Sequence, residues 1–142
     1  MILVDANLLI YAHVRDFAEH TVAREWLDDQ INEQPRVGLA WSSLLAFMRI
    51  TTNARVFERP LSIQKAWAQV EAWLSAPASW IPTPGVPHAA ILGSLVPQIA
   101  RPNLVPDAHL AALAIEHGLT LCSTDGDFAR FQDLSWENPL GS

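Results

Sequence analysis

The chain is short of cysteine, of lysine and of long apolar runs, and each shortage excludes something. Cys122 is the only cysteine, so no internal disulfide can form and a reducing compartment is expected. No pair of cysteines or closely spaced histidines suggests zinc; His109 and His117 stand eight apart on one expected helix. No apolar stretch approaches the ~20 residues that a membrane-spanning helix needs. The opening Met1-Ile2-Leu3-Val4-Asp5 lacks a basic flank and a sustained apolar run, so it reads as a buried strand and not as a targeting peptide. A cytoplasmic location without membrane attachment is therefore expected. No internal repeat or low-complexity tract is visible.

The chain does have enough apolar material to build a core. Half of its 142 residues are hydrophobic, which suits a single domain over residues 1–142. The formal net charge of −6 argues mildly against nucleic-acid binding. Its distribution changes that reading. Arg49, Arg55, Arg59 and Lys65 face one acid, Glu58, in the middle of the chain. From Arg101 onward six acids stand against two arginines. An enzyme that holds cations at one place and phosphates beside it would use such a division.

Hydrophobic patterning alternates between strand-like and helix-like segments. Short strands are expected at Ile2–Val4, Val37–Trp41, Trp80–Pro82, Leu119–Ser123 and Leu134–Trp136. Helices are expected over Ala6–His13, over residues 20–32, after a cap at Ser42 or Ser43, after a cap at Ser62, from Pro87 to about Ile99, and over Pro106–His117. Gly118 is placed to end the last of these. Strands separated by helices imply crossover connections and a mostly parallel sheet with helices on both faces, an α/β architecture. The six tryptophans are expected to help seal those layers.

In such sheets, ligands bind beyond the carboxyl ends of the strands. Asp5 follows the first strand directly. Asp125 follows the strand Leu119–Ser123, and Asp127 comes two residues later. Asp107 lies in the first turn of the Pro106 helix, where the helix dipole favours a carboxylate. Taken singly, each has an ordinary use: a helix cap, a dipole partner, a turn residue around Gly126. Taken together, three separate segments deliver acids to one edge. Such carboxylates repel one another unless a hard cation sits among them. Mg²⁺ suits an oxygen-only donor set, and an ion so held can activate water and neutralise a phosphate.

These motifs resemble those of PIN domains. Asp5-Ala6-Asn7-Leu8-Leu9-Ile10-Tyr11-Ala12 is similar to the family's opening motif. Val105-Pro106-Asp107-Ala108-His109-Leu110-Ala111-Ala112 is similar to its third acidic motif, and Ser123-Thr124-Asp125-Gly126-Asp127-Phe128 to its closing motif. Leu44-Leu45-Ala46-Phe47-Met48-Arg49, followed by Thr51-Thr52-Asn53, resembles VapC-type toxins, those of mycobacteria in particular. The resemblance spans essentially the whole chain. It implies a three-layer α/β/α fold on a short parallel sheet and a Mg²⁺- or Mn²⁺-dependent endoribonuclease. It also implies the toxin of a type II toxin–antitoxin pair, inhibited by a cognate antitoxin and commonly a homodimer.

By residue match, Asp5, Asp107 and Asp125 carry over as catalytic metal ligands, with Asp127 as an outer one. Asn7 and Ser123 match positions that hydrogen-bond around them. One departure stands out: many PIN domains carry Glu where this chain has Ala46, so one acid of the usual four is missing. Arg49 and Arg55, then Arg59, are the candidate phosphate contacts, since arginine grips phosphate with two parallel hydrogen bonds. Trp41 is a candidate for stacking on an RNA base, set against a core role. The substrate expected is single-stranded RNA, in a tRNA or rRNA loop, cut by metal-activated water. The rival reading, motivated by Ala46, is a weakly active or inactive module of the same fold that binds an antitoxin or RNA.

Overall fold

A computed structural model describes residues 1–141; Ser142, to which no role attaches, lies outside the described residues. Five strands, β1 (Ile2–Val4), β2 (Val37–Gly38), β3 (Ser79–Trp80), β4 (Thr120–Cys122) and β5 (Trp136–Glu137), form one sheet in the order β3-β2-β1-β4-β5. Every pairing is parallel, with Leu3 beside Gly38 on one flank and beside Leu121 on the other. β1 has its expected range, and the other four strands are shorter than the apolar runs suggested. Val37–Trp41 yields only a two-residue strand, because Trp41 already begins a helix.

Six α-helices cover the sheet: α1 (Ala6–His13), α2 (His20–Glu33), α3 (Trp41–Thr51), α4 (Ile63–Ser75), α5 (His88–Leu95) and α6 (Val105–His117). The alternation of side chains along a strand assigns the layers. Ile2 and Val4 point into a core built with α1 to α4, whereas Leu3 points into a second core built with α5 and α6. Leu121 and Cys122 divide in the same way. Burying Leu3, Leu121, Leu113 and Phe128 on the α6 side contributes on the order of 2 kcal/mol each. None of the described helices is long and apolar enough to cross a membrane.

Several local choices explain where elements begin and stop. Asp5 caps α1 through its own carboxylate, which accepts the Ala6 N–H at 2.8 Å. Ser62 caps α4 as its sequence position predicts. The cap expected at Ser42 or Ser43 is absent; Ala40 precedes α3 and makes no side-chain cap bond. Gly118 ends α6 in the left-handed region at φ 66°, where a Cβ is strained. The helix expected from Pro87 to about Ile99 stops at Leu95 and tightens into a 3₁₀ turn over Val96–Gln98, where Pro97 lacks the N–H of a regular helix. Gly38 has a different reason to be glycine: a Cβ there would come within 3.0 Å of the Ile2 carbonyl oxygen. The tryptophans divide. Trp73 is buried, but Trp41 and Trp67 stack on each other at the surface, 41% and 40% exposed.

Topology fixes where a ligand crevice can lie. From β1 the chain winds outward to β2 and β3; it then returns to the far side of β1 to lay down β4 and β5. The reversal falls between β1 and β4. Beyond their carboxyl ends the connections part in opposite directions and leave a crevice. Because α6 runs back against β4, its N-terminus opens onto that same edge.

Candidate active site

Three sequence-distant segments meet in this crevice. Asp5 directly follows β1, and its N–H extends the ladder by donating to the Cys122 carbonyl at 3.0 Å. Ser123 directly follows β4, and a turn then presents Asp125. The first turn of α6 presents Asp107. The crevice is an open cleft of about 340 Å³, lined by Asp5, Asn7, Ser43, Ala46, Arg49 and Asp107, among others.

One hydroxyl organises the carboxylates. The buried Ser123 Oγ donates to Asp5 Oδ2 at 2.7 Å. The same oxygen accepts from Asn7 Nδ2 at 3.1 Å and from the Asp125 N–H at 3.0 Å. Asp5 therefore has both oxygens directed, one by Ser123 and one by the start of α1. Asp125 caps the 3₁₀ turn Gly126–Arg130 by accepting the Asp127 N–H at 2.9 Å.

The electrostatics of the cleft are unfavourable as it stands. Burial pushes Asp5 above the usual carboxylate range; hydrogen bonds from Ser123 and Ala6 oppose this, and the Asp125 charge adds to it. Asp107 is pushed up to about 6, first by burial, then by the Asp125, Asp5 and Asp127 charges, with Arg101 acting against them. Repulsion among carboxylates in a half-enclosed cleft is a conflict that a cation relieves.

The donor set can be tested against such a cation. The candidate ligand atoms are oxygens: the Asp5 and Asp107 carboxylates, the Asn7 Oδ1 and the Ser43 Oγ in the lining, with the Asp125 carboxylate just outside it. The Asn7 and Ser43 oxygens are buried and have no hydrogen-bond partner. Among the described residues no three His, Cys, Asp or Glu side chains converge closely enough to cage one ion by themselves. This combination fits Mg²⁺ or Mn²⁺, which are held by one or two carboxylates, several waters and substrate oxygens. It does not fit zinc. His109 is engaged with His88 at 3.1 Å, and His117 with the Thr83 carbonyl at 2.8 Å.

The remaining expected residues separate. Arg49, exposed near the end of α3, lines the cleft. Arg55 does not line it; its N–H closes a turn onto Asn53 Oδ1 at 2.9 Å. Arg59 lines a different depression, beside Arg15 and Thr51. Trp41 is absent from the cleft lining. Ala46 does line it, so the position of the missing acid faces the cluster. Asp127 has its two oxygens taken by arginines: Oδ2 by Arg101 Nη2 at 2.9 Å and Oδ1 by Arg130 Nη2 at 3.3 Å. Arg101 lies in an irregular segment four residues before the Val105 motif, and no pattern in that segment marks it. Its contact with Asp127 comes from the packing of α6 against the Asp125 turn.

Comparison with known proteins agrees with this arrangement. The PIN-domain pattern matches residues 2–134. The chain is 44% identical over 140 residues to Ribonuclease VapC37 of Mycobacterium tuberculosis, covering 98% of this chain and 97% of that one. The fold is similar to the crystal structure of VapBC2 from Rickettsia felis bound to a DNA fragment from their promoter. There the TM-score is 0.70 at 17% identity, over 97% of this chain and 98% of that one. It is also similar to VapBC-1 from nontypeable Haemophilus influenzae, with a TM-score of 0.71 at 16% identity over 99% and 100% of the two chains. With its strand-end carboxylates, its parallel sheet and this full-length similarity, the chain belongs to the PIN-domain family, among the VapC ribonucleases.

Proposed function

We propose that the protein is an endoribonuclease toxin that cuts single-stranded RNA at the Asp5–Asp107–Asp125 cleft and is held in check by a cognate antitoxin. The observation that carries the reading is the carboxylate group itself. Asp5 and Asp125 are tied together through Ser123, and Asp107 sits close enough to feel both charges. A structural role explains Asp5 as a cap and Asp125 as a turn residue, but it leaves the mutual repulsion at Asp107 without a purpose.

Asp5 and Asp107 would hold Mg²⁺ or Mn²⁺ directly, with Asp125 reaching it through water and Asn7 Oδ1 and Ser43 Oγ available to its water shell. Such an ion neutralises phosphate charge and makes a neighbouring water more acidic. The chain's own contribution is orientation. Ser123 and the Ala6 N–H fix the directions of both Asp5 oxygens, so the site needs little rearrangement when RNA arrives. Arg49, in the cleft lining, would pair with a phosphate oxygen. In-line attack by water on the scissile phosphate leaves a 5′-phosphate and a 3′-hydroxyl.

The similarity to VapBC structures supports an antitoxin as partner, and the family resemblance supports a homodimer. Incubating the purified protein with cellular RNA and Mg²⁺, then sequencing the ends, tests the reading. Discrete cuts with 5′-phosphate ends, abolished by a chelator, are expected. Intact RNA at millimolar Mg²⁺ and Mn²⁺ would support the non-catalytic module instead.

A further inference from the structure

Two guanidinium groups contact the acidic turn that follows β4: Arg130 from within the turn, and Arg101 from the segment that leads into α6. Arg101 stands at the start of the Pro102–Leu104 3₁₀ turn that leads into α6, two residues before Asn103. Its Nε donates to Asn103 Oδ1 at 3.3 Å and its Nη2 to Asp127 Oδ2 at 2.9 Å. Nε and Nη2 share one edge of the planar group, and both contacts come from these two nitrogens. Three of the five N–H bonds of an arginine remain, two of them on Nη1, which donates to no described residue. Half of the Arg101 side chain is open to solvent.

The anchor is itself anchored. Asp127 is gripped from its other oxygen by Arg130, which also reaches the Asp127 carbonyl through Nε at 3.1 Å. The Asp127 N–H holds Asp125 Oδ1. One short turn thus carries an acid of the cleft and the carboxylate that aims Arg101. Asn103 also lines the cleft beside Asp107, and the Arg101 charge acts on the Asp107 carboxyl. Two guanidinium groups thus stand near the carboxylates: Arg49 on α3, in the cleft lining, and Arg101 on the lead into α6, whose charge reaches Asp107.

We infer that Arg101 is a substrate-binding residue. Asp127 holds one edge of its guanidinium so that the free N–H groups take the non-bridging oxygens of an RNA phosphate next to the one being cut. Asp127 is then a positioning residue for Arg101, and not a metal ligand. A single carboxylate cannot readily do both, and its oxygens already face arginines. The inference rests on the ribonuclease reading. It adds a second phosphate grip that fixes the strand across the cleft, where Arg49 alone would leave it free to pivot.

The test separates binding from chemistry. A short single-stranded RNA labelled with a fluorophore is titrated into the Asp5→Asn protein, with and without Arg101→Ala, at several salt concentrations. Loss of one oriented, charge-assisted pair should weaken binding by roughly 10- to 100-fold. The slope of log affinity against log salt should fall by about 0.7, one contact's share on single-stranded nucleic acid. Arg101→Lys, which keeps the charge but loses the fork, should recover the slope and only part of the affinity. In the otherwise wild-type enzyme, Arg101→Ala should raise KM far more than it lowers kcat, with Mn²⁺ affinity unchanged. Unchanged RNA affinity and KM in Arg101→Ala, beside a wild type that cuts RNA, would overturn the inference and leave the ribonuclease reading intact. A fall in kcat accompanied by weaker Mn²⁺ binding would overturn it too, by showing that Arg101 serves the carboxylates. A wild type that neither binds nor cuts RNA would overturn both.

Discussion

Asp107→Asn should inactivate the protein and, without metal, make it more stable. The side chain keeps its shape and loses its charge. Its carboxyl is pushed up to about 6 from the usual 3.8, by burial and by three neighbouring carboxylates. At face value that rise corresponds to roughly 3 kcal/mol of unfavourable free energy for the ionised form at neutral pH. The group is only partly buried, so solvent screening reduces the figure to about 1 kcal/mol. In a chain of this length about 1 kcal/mol moves the melting temperature by roughly 3–5 °C. Differential scanning calorimetry at pH 7.5 in chelator should show the variant melting higher than wild type. Adding Mg²⁺ should raise the wild-type midpoint and leave the variant nearly unmoved, since a ligand stabilises only the protein that binds it. A variant that melts lower than wild type in chelator would refute the reasoning. Asp107 would then be contributing a dipole interaction at the start of α6, and the repulsion would be unimportant.

The pH dependence follows from the same group. A carboxyl raised in the folded state is protonated there while it is already ionised in the unfolded chain, so metal-free stability should fall as pH rises from about 4 through about 6. Mn²⁺ affinity, followed by electron paramagnetic resonance, should rise across the same interval as Asp107 ionises. Ala46→Glu places a fourth acid against the cleft; it should tighten Mn²⁺ binding by roughly tenfold while lowering metal-free stability, both readable in one thermal-shift titration. Ser123→Ala removes a buried hydroxyl that serves Asp5, Asn7 and Asp125 at once, and should cost about 2–3 kcal/mol in urea unfolding. Gly38→Ala should also destabilise, because its Cβ would press on the Ile2 carbonyl oxygen within the sheet.

The sequence made some of this legible for physical reasons. Asp5 and Asp125 follow short apolar strands, and a parallel sheet must bring such positions to one edge. Asp107 follows a proline at a helix start, and a helix running back to β4 must begin at that edge. Other features lie in no local pattern. The lengths of β2 and β3 are set by how far neighbouring strands can pair, so the apolar run after Val37 overstates the strand. Arg55 and Arg49 look alike in the chain, yet only Arg49, on the rigid helix α3, faces the cleft. Asp127 looks like a fourth acid, but its oxygens are turned to Arg101 and Arg130, one of them 26 residues away. Trp41 reads as core on composition alone; its stacking on Trp67 leaves both rings at the surface.

The central claim is that the carboxylates at the β1–β4 crevice perform RNA cleavage. The most direct measurement is the single-turnover cleavage rate of a sensitive RNA by Asp5→Asn beside wild type, at saturating Mg²⁺, with the fold of the variant checked by circular dichroism. Asp5→Asn keeps one oxygen, which can still accept the Ala6 N–H and cap α1, while its amide nitrogen replaces the oxygen that accepts from Ser123; the shape is retained, so the fold should survive. The Asp5→Asn rate should lie at least a hundredfold below wild type. A folded variant that cuts RNA at a near wild-type rate would contradict it.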